Sequence, residues 1–378
     1  MNYVLHLTDE CNFRCKYCYE SKRTKSLDFE NIKSIIDYEV KESQNKNDKD
    51  RYSSITFFGG EPLLVRQNVI DTIDYCNNLY KTTGHKFLYK LNTNGYYIDN
   101  ELIKIIKDND ITVCYSLDGN QTAHDLNRIT SNESPTFEIV RKNAYRLLDE
   151  KVRMVCMLTY TKNTLPYLAD SVKYCFDMGF KTVLAACDYT ANWEDSDLII
   201  FKREFEKLAY LYYTKTKNED TFYLLPFENK IDSHISKERS CLEKCHLGMH
   251  NINVGTDGNL YPCMQFVYDE EYIIGDCKNG IDKNKRIKLM HREVPENSTC
   301  KQCKIKDRCK HTCGCINKLT TGNINEIHPF TCETERIIVR CADDVASKLY
   351  KEDDTMFMQK KYNPIFSIID SVYESLVM

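Results

Sequence analysis

Three cysteines near the start of the chain form the first group of residues that could do chemistry. Cys11, Cys15 and Cys18 lie in the stretch CNFRCKYC, and the next cysteine is Cys76. A tetrahedral zinc site or an ordinary four-cysteine cluster needs four ligands. A [4Fe–4S] cluster held by only three thiolates has one iron with an open coordination position, where a small ligand can bind. The alternative is a zinc site completed by His6, Asp9 or a distant residue.

The segments around this loop alternate between strand-like and helix-like patterns up to about residue 215. Several strands are apolar throughout, as in parallel sheets covered by helices. Six strand–helix units predict an α/β fold, a partial (β/α)6 barrel, with the cysteine loop at the mouth where barrel active sites lie. The predicted strands are 3–7, 54–60, 87–95, 112–119, 153–160 and 182–188, and the main predicted helices are 28–40, 100–110 and 136–150.

The stretch CNFRCKYC resembles the signature of radical S-adenosylmethionine (SAM) enzymes. In that family the open iron binds the amino and carboxylate groups of SAM. Reduction then splits SAM into methionine and a 5′-deoxyadenosyl radical, which abstracts a hydrogen atom from the substrate. The resemblance implies that Tyr17 packs near the adenine. The resemblance also covers the stretch FFGGEP at 57–62. Gly59 and Gly60 would let the backbone approach the ligand, and Glu61 would accept a hydrogen bond from the SAM ammonium.

Polar residues at the ends of the next two predicted strands extend the resemblance. Asn94 ends the third strand and Ser116 ends the fourth, and in the family such strand ends line the SAM and substrate pocket. Arg128 could pair with the SAM carboxylate, and the alternative is a surface arginine. Asp118, in SLDG, is predicted to form a turn.

The second half of the chain is rich in cysteine: eleven of the nineteen lie between positions 241 and 341. Their spacing resembles the seven-cysteine SPASM arrangement, which implies two auxiliary [4Fe–4S] clusters in a C-terminal iron–sulfur module. Together with the SAM cluster, the chain would hold three [4Fe–4S] clusters. The first auxiliary cluster would bind Cys245, Cys263 and Cys313. The second would bind Cys300, Cys303, Cys309 and Cys332.

Cys241 could supply the fourth thiolate of the first auxiliary cluster, although its spacing from Cys245 is shorter than expected. Without it, that cluster has an open iron where a substrate thiolate could bind. A zinc ribbon at 300–313 is the alternative for the second set. The other cysteines are predicted to be small buried hydrophobic residues, and Cys315, in CGC, is a spare ligand or a local thiol.

Enzymes of this type mostly modify residues in ribosomally made peptides or proteins. We expect a cysteine-derived thioether cross-link, with carbon–carbon cross-linking and oxidation of Ser or Cys to formylglycine as alternatives. The sulfatase-maturing branch is expected to carry Asp beside the second SPASM cysteine, but Met264 stands there, and Asp269 and Glu270 are predicted to lie in a solvated loop. A non-catalytic zinc-binding scaffold is the alternative from another class of protein.

The resemblance implies a precursor peptide as substrate and an electron donor such as flavodoxin or ferredoxin. Because the cluster loop begins at Cys11, we expect no leader-binding domain before it. Leader recognition would therefore need a separate protein, the 190–240 segment or direct contact in the cleft. The aromatic residues of 191–217, including Trp193, are predicted to pack in the core rather than to form a peptide groove.

Composition limits the remaining function classes. The net charge of −4, from 52 basic and 56 acidic residues, gives no argument for nucleic acid or an anionic membrane. Neither a membrane-spanning run nor a secretory signal is visible, so we expect a cytoplasmic protein whose cysteines are metal ligands or catalytic thiols. The predicted domains are the core 1–215, a connecting segment 216–239, the SPASM module 240–345 and a tail 346–378, whose residues 362–378 form an amphipathic helix.

Overall fold

The computed structural model describes residues 1–20, 23–45, 52–236, 247–292 and 298–363. Cys241, Cys245 and most of the predicted tail helix lie outside the described residues. The strands are β1 Asn2–Thr8, β2 Tyr52–Gly59, β3 Lys86–Thr93, β4 Thr112–Ser116, β5 Met154–Tyr160, β6 Thr182–Cys187, β7 Tyr223–Leu225, β8 Asn251–Val254, β9 Asn259–Tyr261, β10 Gly275–Asp276 and β11 Gly280–Ile281.

Helices connect and cover these strands. Several begin at a side-chain cap; Asp99, for example, accepts a hydrogen bond from the backbone N–H of Leu102 at the start of α3. The helices are α1 Phe29–Asn45, α2 Arg66–Thr83, α3 Asn100–Asp108, α4 Gln121–Asn127, α5 Phe137–Asp149, α6 Leu168–Met178, α7 Asp197–Lys217, α8 Phe227–Ile235, α9 Lys283–Met290, α10 Ser298–Lys301, α11 Gly314–Thr321, α12 Pro329–Lys351 and α13 Thr355–Tyr362.

The first seven strands form a parallel sheet in which each strand lies beside the one before it. This is the strand order of a βα barrel, and the sheet is open because β7 is an edge strand. The six predicted strands are all present, and the α/β barrel-like fold is confirmed. Their apolar side chains, such as Leu5, Phe57 and Val113, are fully buried beneath the helices.

The cysteine-rich half extends this sheet. Strand β8 pairs in parallel with β1, and β9 to β11 continue as antiparallel strands. The predicted connecting segment 216–239 contributes β7, which pairs with β6, and also α8. Helix α12 runs through the predicted boundary at 345/346 and packs on α7 and α8. The division into domains stays a prediction, but these elements join its parts.

Most aromatic residues of 191–217 pack in or against the core, as predicted, but Tyr210 is 69% exposed. Trp193 stacks on Phe330 of α12, with ring centroids 4.8 Å apart, and donates a hydrogen bond to the backbone oxygen of Asp188 at 2.7 Å. Phe201 and Phe205 are fully buried and stack on each other. In the part of the chain that the structure describes, there is no helix with the length and apolar character needed to cross a bilayer.

Candidate functional site

The loop that follows β1 carries Cys11, Cys15 and Cys18. The first two are half-buried and the third is exposed. Two backbone hydrogen bonds attach the loop to the end of α4 and the residues that follow it: the N–H of Lys16 donates to the oxygen of Asn127 at 3.0 Å, and the N–H of Arg14 donates to the oxygen of Ile129 at 2.7 Å. The loop therefore has a defined path across the carboxyl end of the sheet.

Gly59 and Gly60 support the base of this loop. A Cβ on Gly59, whose φ is +131°, would lie 2.4 Å from the backbone oxygen of Thr8, and a Cβ on Gly60 would lie 2.1 Å from that of Glu10. The N–H of Gly60 donates to Thr8 at 2.7 Å, and the N–H of Glu61 donates to Glu10 at 2.8 Å. The backbone that these glycines approach is therefore the chain's own, immediately before the cysteine loop.

Glu61 is buried between the ends of β2 and β3. Its carboxylate accepts hydrogen bonds from the N–H of Asn94 at 2.8 Å, the hydroxyl of Thr93 at 2.9 Å and the N–H of Leu63 at 3.1 Å. Burial raises its pKa to about 7, although these three hydrogen bonds act in the opposite direction. A carboxylate has about four acceptor positions, so one position is left for a further donor.

The side chain of Asn94 connects the end of β3 to the cysteine loop. Its Nδ2 donates to the Oδ1 of Asn12 at 2.8 Å and lies 3.8 Å from the sulfur of Cys11. Ser116 ends β4 and is half-buried. The structure thus brings Glu61 and Asn94 beside the first cysteine, and it places Ser116 at the same edge of the sheet.

Tyr17, Asp118 and Arg128 form a hydrogen-bonded group behind the cysteine loop. The Tyr17 hydroxyl donates to one oxygen of Asp118 at 2.7 Å, and Arg128 donates to the other at 3.0 Å. The expectation of a surface arginine is wrong, because Arg128 is only 6% exposed and Asp118 is its partner. Burial alone would lower the pKa of Arg128, but the Asp118 carboxylate raises it above its ordinary value. Asp118, predicted only as a turn former, anchors both side chains.

A second group of cysteines surrounds a cavity in the C-terminal part. Arg336 and His311 also line this cavity, together with apolar side chains. Nearby, the buried Lys230 pairs with Glu335 at 3.1 Å, and its ammonium donates to the backbone oxygen of Arg308 at 2.6 Å. The cysteines that line the cavity are Cys300, Cys303, Cys309 and Cys332, the complete set expected for the second auxiliary cluster.

Of the set expected for the first auxiliary cluster, the structure describes Cys263 and Cys313, both half-buried. Met264 follows Cys263 and accepts a hydrogen bond from the hydroxyl of Tyr19 at 3.0 Å. Asp269 forms an ion pair with Lys318, so the loop that carries it is attached to α11. Among the described residues, there is no group of three or more His, Cys, Asp or Glu side chains placed to hold a single metal ion.

Sequence reasoning missed two residues of this site, Asn12 and Tyr19. It also missed that Asp118 anchors the side chains of Tyr17 and Arg128. Asn12 and Tyr19 flank the cysteines, so their position in the loop was a usable signal. The role of Asp118 depends on contacts with residues distant in the sequence.

Comparison with known proteins defines the class. Residues 5–175 match the family model described as the radical SAM superfamily. The described cysteine loop, Gly59–Glu61 and Asn94 all lie within this match. Residues 5–175 are therefore a radical SAM domain, and along most of its length the chain is similar to an enzyme of this superfamily.

Two relatives are similar in sequence. An uncharacterized protein of Methanocaldococcus jannaschii is 33% identical over 181 residues, which span 48% of this chain and 60% of that protein. A cysteine-type anaerobic sulfatase-maturating enzyme of Clostridium perfringens is 26% identical over 329 residues, 80% of this chain and 85% of that enzyme. The chain is thus similar over most of its length to a sulfatase-maturating enzyme.

Two solved structures share the fold. The structure of native anSMEcpe with bound AdoMet superposes on this chain with a TM-score of 0.78 and 21% sequence identity. The superposition spans 93% of this chain and 99% of the anSMEcpe chain. The structure of Streptococcus suis SuiB bound to precursor peptide SuiA superposes with a TM-score of 0.63 and 16% sequence identity. This superposition spans 88% of this chain and 75% of the SuiB chain.

Proposed function

We propose that this enzyme binds SAM at a [4Fe–4S] cluster and modifies a ribosomally made peptide, forming a thioether from a cysteine sulfur. The observation that carries the proposal is the position of the three-cysteine loop. It lies at the carboxyl end of β1, against Glu61 and Asn94 from the neighbouring strand ends. Barrel active sites are built at this end, and three thiolates are the ligand set that leaves one iron open.

The residues present fit these cofactors. Cys11, Cys15 and Cys18 would hold the SAM cluster, and the four cysteines that line one cavity would hold an auxiliary cluster. When bound, the cluster and SAM supply one-electron cleavage and hydrogen abstraction. The remaining acceptor position of Glu61 is available to the SAM ammonium, and Asn94 and Ser116 would line the pocket. Tyr17 would pack near the adenine.

Arg128 was expected to pair with the SAM carboxylate. Because Asp118 already neutralises its charge in a buried ion pair, we propose instead that Arg128 positions the loop. Its guanidinium carbon lies 5.4 Å from the centroid of the Tyr17 ring, so it supports the ring from behind.

A peptide substrate is supported by the similarity to enzymes of the same type, including a structure of SuiB with its precursor peptide. Cysteine oxidation to formylglycine is the second candidate, because the sulfatase-maturating relative aligns over most of its length. Against it stands Met264, beside Cys263, where a carboxylate base is expected; Asp269, close in sequence, forms an ion pair with Lys318.

The first test is iron and sulfide per chain after anaerobic reconstitution, where about twelve irons, four per cluster, are expected. Cys15→Ala should keep the auxiliary iron and lose SAM cleavage, measured as 5′-deoxyadenosine. Unchanged 5′-deoxyadenosine formation by this variant would overturn the assignment of the SAM site. Zinc without iron would favour the scaffold.

Mass spectrometry of a cysteine-containing peptide encoded beside the gene distinguishes the two reactions. A thioether removes two hydrogen atoms and keeps the sulfur, whereas formylglycine formation removes two hydrogen atoms and also replaces the cysteine sulfur by an aldehyde oxygen. A carbon–carbon cross-link also removes two hydrogens but leaves a free thiol, which alkylation detects.

A further inference from the structure

Lys90 is a buried lysine on the inner face of the partial barrel. It stands between Tyr89 and Leu91 on β3, and both of these side chains belong to the main hydrophobic core. Because successive side chains of a strand point to opposite faces of the sheet, Lys90 points away from the helices and into the barrel. It is only 5% exposed, and a lysine is almost never buried to this extent unless it is paired.

The residues beside Lys90 in the sheet offer it no partner. They are Thr56 on β2 and Thr112 on β4. The hydroxyl of Thr56 donates to the side chain of Asn2 at 3.1 Å, and that of Thr112 accepts from Arg153 at 3.3 Å. In the part of the chain that the structure describes, Lys90 has neither a hydrogen bond nor an ion pair.

Cys114 is the titratable side chain that acts on Lys90, and it supplies no counter-charge. Burial raises the pKa of this thiol to about 11, so it is neutral at neutral pH. Burial likewise lowers the pKa of Lys90, with Cys114 acting in the opposite direction. Cys114 pairs in register with Asn92, one step nearer the carboxyl end of the strands. The lysine is therefore a buried cation, or a potential one, that faces the barrel mouth without an anion.

The inner face of the barrel above Lys90 is accessible to solvent. On five neighbouring strands, an inward-facing side chain is half-buried although the residues on either side of it in the strand are buried. The exposed surface of these side chains therefore faces the interior of the barrel. They are Phe58, Asn92, Ser116, Met157 and Leu184.

Asn92 is the next inward-facing residue after Lys90 on the same strand. Two residues of a strand span about 7 Å, so the amide of Asn92 and the long side chain of Lys90 can reach one ligand. Among the described residues, the side chain of Asn92 also has no hydrogen-bond partner. The floor of the barrel thus presents an amine and an amide, both of them hydrogen-bond donors, next to space that a ligand can enter.

We propose that Lys90 and Asn92 bind a carboxylate group of the substrate peptide inside the barrel. The inference rests on the proposed function, because that function makes the ligand a peptide. A carboxylate accepts hydrogen bonds at both oxygens and brings the negative charge that a buried ammonium lacks. A peptide carries this group on an Asp or Glu side chain or at its free C terminus.

This assignment narrows the class of substrate. The hydrogen atom must be taken from a carbon that lies inside the barrel, near the SAM site at its mouth. A carboxylate held at the floor brings the C–H groups of the same residue into that space. The modified residue is then acidic, or it is the C-terminal residue of the peptide.

The test measures the binding of matched short peptides to the reconstituted enzyme with SAM, by calorimetry at pH 7. The first pair is an acetylated and amidated tripeptide with glutamate or glutamine between two glycines. The second pair is acetylated triglycine with a free or an amidated C terminus. In the native enzyme, one carboxylate peptide should bind about tenfold more tightly than its amide partner. Lys90→Met should abolish this preference, and Lys86→Met, at the exposed start of β3, should keep it.

The pair that shows the preference identifies the source of the carboxylate. Equal binding of acid and amide in both pairs would overturn the inference, and so would a preference that Lys90→Met retains. Melting temperature gives a second measurement. Because methionine replaces a cation without a partner, Lys90→Met should melt no lower than Lys86→Met. A clearly lower value would reveal a partner within the protein and would also overturn the inference.

Formation of 5′-deoxyadenosine by the native enzyme is measured separately. Its absence would contradict the proposed function, whereas the acid-over-amide preference is a binding result that needs no turnover. The two failures are therefore distinguishable.

Discussion

The hydroxyl of Tyr17 donates a hydrogen bond to the carboxylate of Asp118 at 2.7 Å, across 101 positions of sequence. The other oxygen of this carboxylate accepts from Arg128 and from the backbone N–H of Thr159 at 2.9 Å. Asp118 therefore ties the cysteine loop to β5 and to the segment after α4. Since Tyr17 stands between Cys15 and Cys18, any movement of this carboxylate would move the cysteine loop.

Replacing Asp118 with Asn should destabilise the enzyme strongly. The amide keeps the shape but leaves the buried charge of Arg128 uncompensated, and breaking a buried pair in this way costs about 3–5 kcal/mol. Denaturant unfolding under anaerobic conditions measures the free energy of unfolding. The matched control is Asp110→Asn, which removes the partner of Arg153 in an exposed pair worth about 0–1 kcal/mol. Equal losses in the two variants would contradict the anchoring role.

Gly60→Ala should disturb the cysteine loop without any change in charge. The new Cβ would meet the backbone oxygen of Glu10 at 2.1 Å, and overpacking of this kind costs about 1–3 kcal/mol. Because Glu10 directly precedes Cys11, we expect loss of the SAM cluster iron and at least tenfold slower formation of 5′-deoxyadenosine. Gly322→Ala is the control: its φ is +79° but no atom lies within 4 Å of the new Cβ, so iron content should not change.

The six barrel strands could be predicted because each is an apolar run long enough to show its pattern. Strands β7 to β11 are two to four residues long, too short for a periodic signal, and their pairing with β1 and β6 depends on the tertiary fold. The same distinction holds for the site. The sequence pattern indicates that Gly59 and Gly60 matter. Their close approach to the backbone of Thr8 and Glu10, however, depends on how the strands pair in the sheet.

Lys230→Met should weaken the region around the second cysteine cavity. The Lys230 ammonium is fully buried, pairs with Glu335 and donates to the backbone of Arg308. Methionine fills a similar volume but leaves Glu335 as an unpaired buried charge, at a cost of about 3–5 kcal/mol. Arg308 directly precedes Cys309, so about four irons should be lost more readily to a chelator.

The control for this variant is Lys173→Met, which removes an exposed partner of Asp177 on α6 and should cost about 0.3–0.5 kcal/mol. If Lys230→Met retained its iron as firmly as Lys173→Met, the ion pair would have no part in shaping the cavity.

Glu61 should make stability depend on pH in an unusual direction. Its folded pKa of about 7 lies above the ordinary value of 4.5 because the carboxylate is desolvated. Between these values the folded state keeps a proton that the unfolded state has released, so stability falls as pH rises from 4.5 to 7. A shift of this size corresponds to about 3 kcal/mol. Without SAM, the free energy of unfolding should therefore fall more steeply over this range in the native enzyme than in Glu61→Gln.

The same measurement tests the predicted contact with SAM. A bound ammonium at the remaining acceptor position would favour the ionised carboxylate and lower the folded pKa. Saturating SAM should therefore flatten the pH dependence of the native enzyme toward that of Glu61→Gln. Identical slopes in the native enzyme and the variant without SAM would show that Glu61 does not titrate in this range. A slope that SAM leaves unchanged would mean that Glu61 only braces the strand ends.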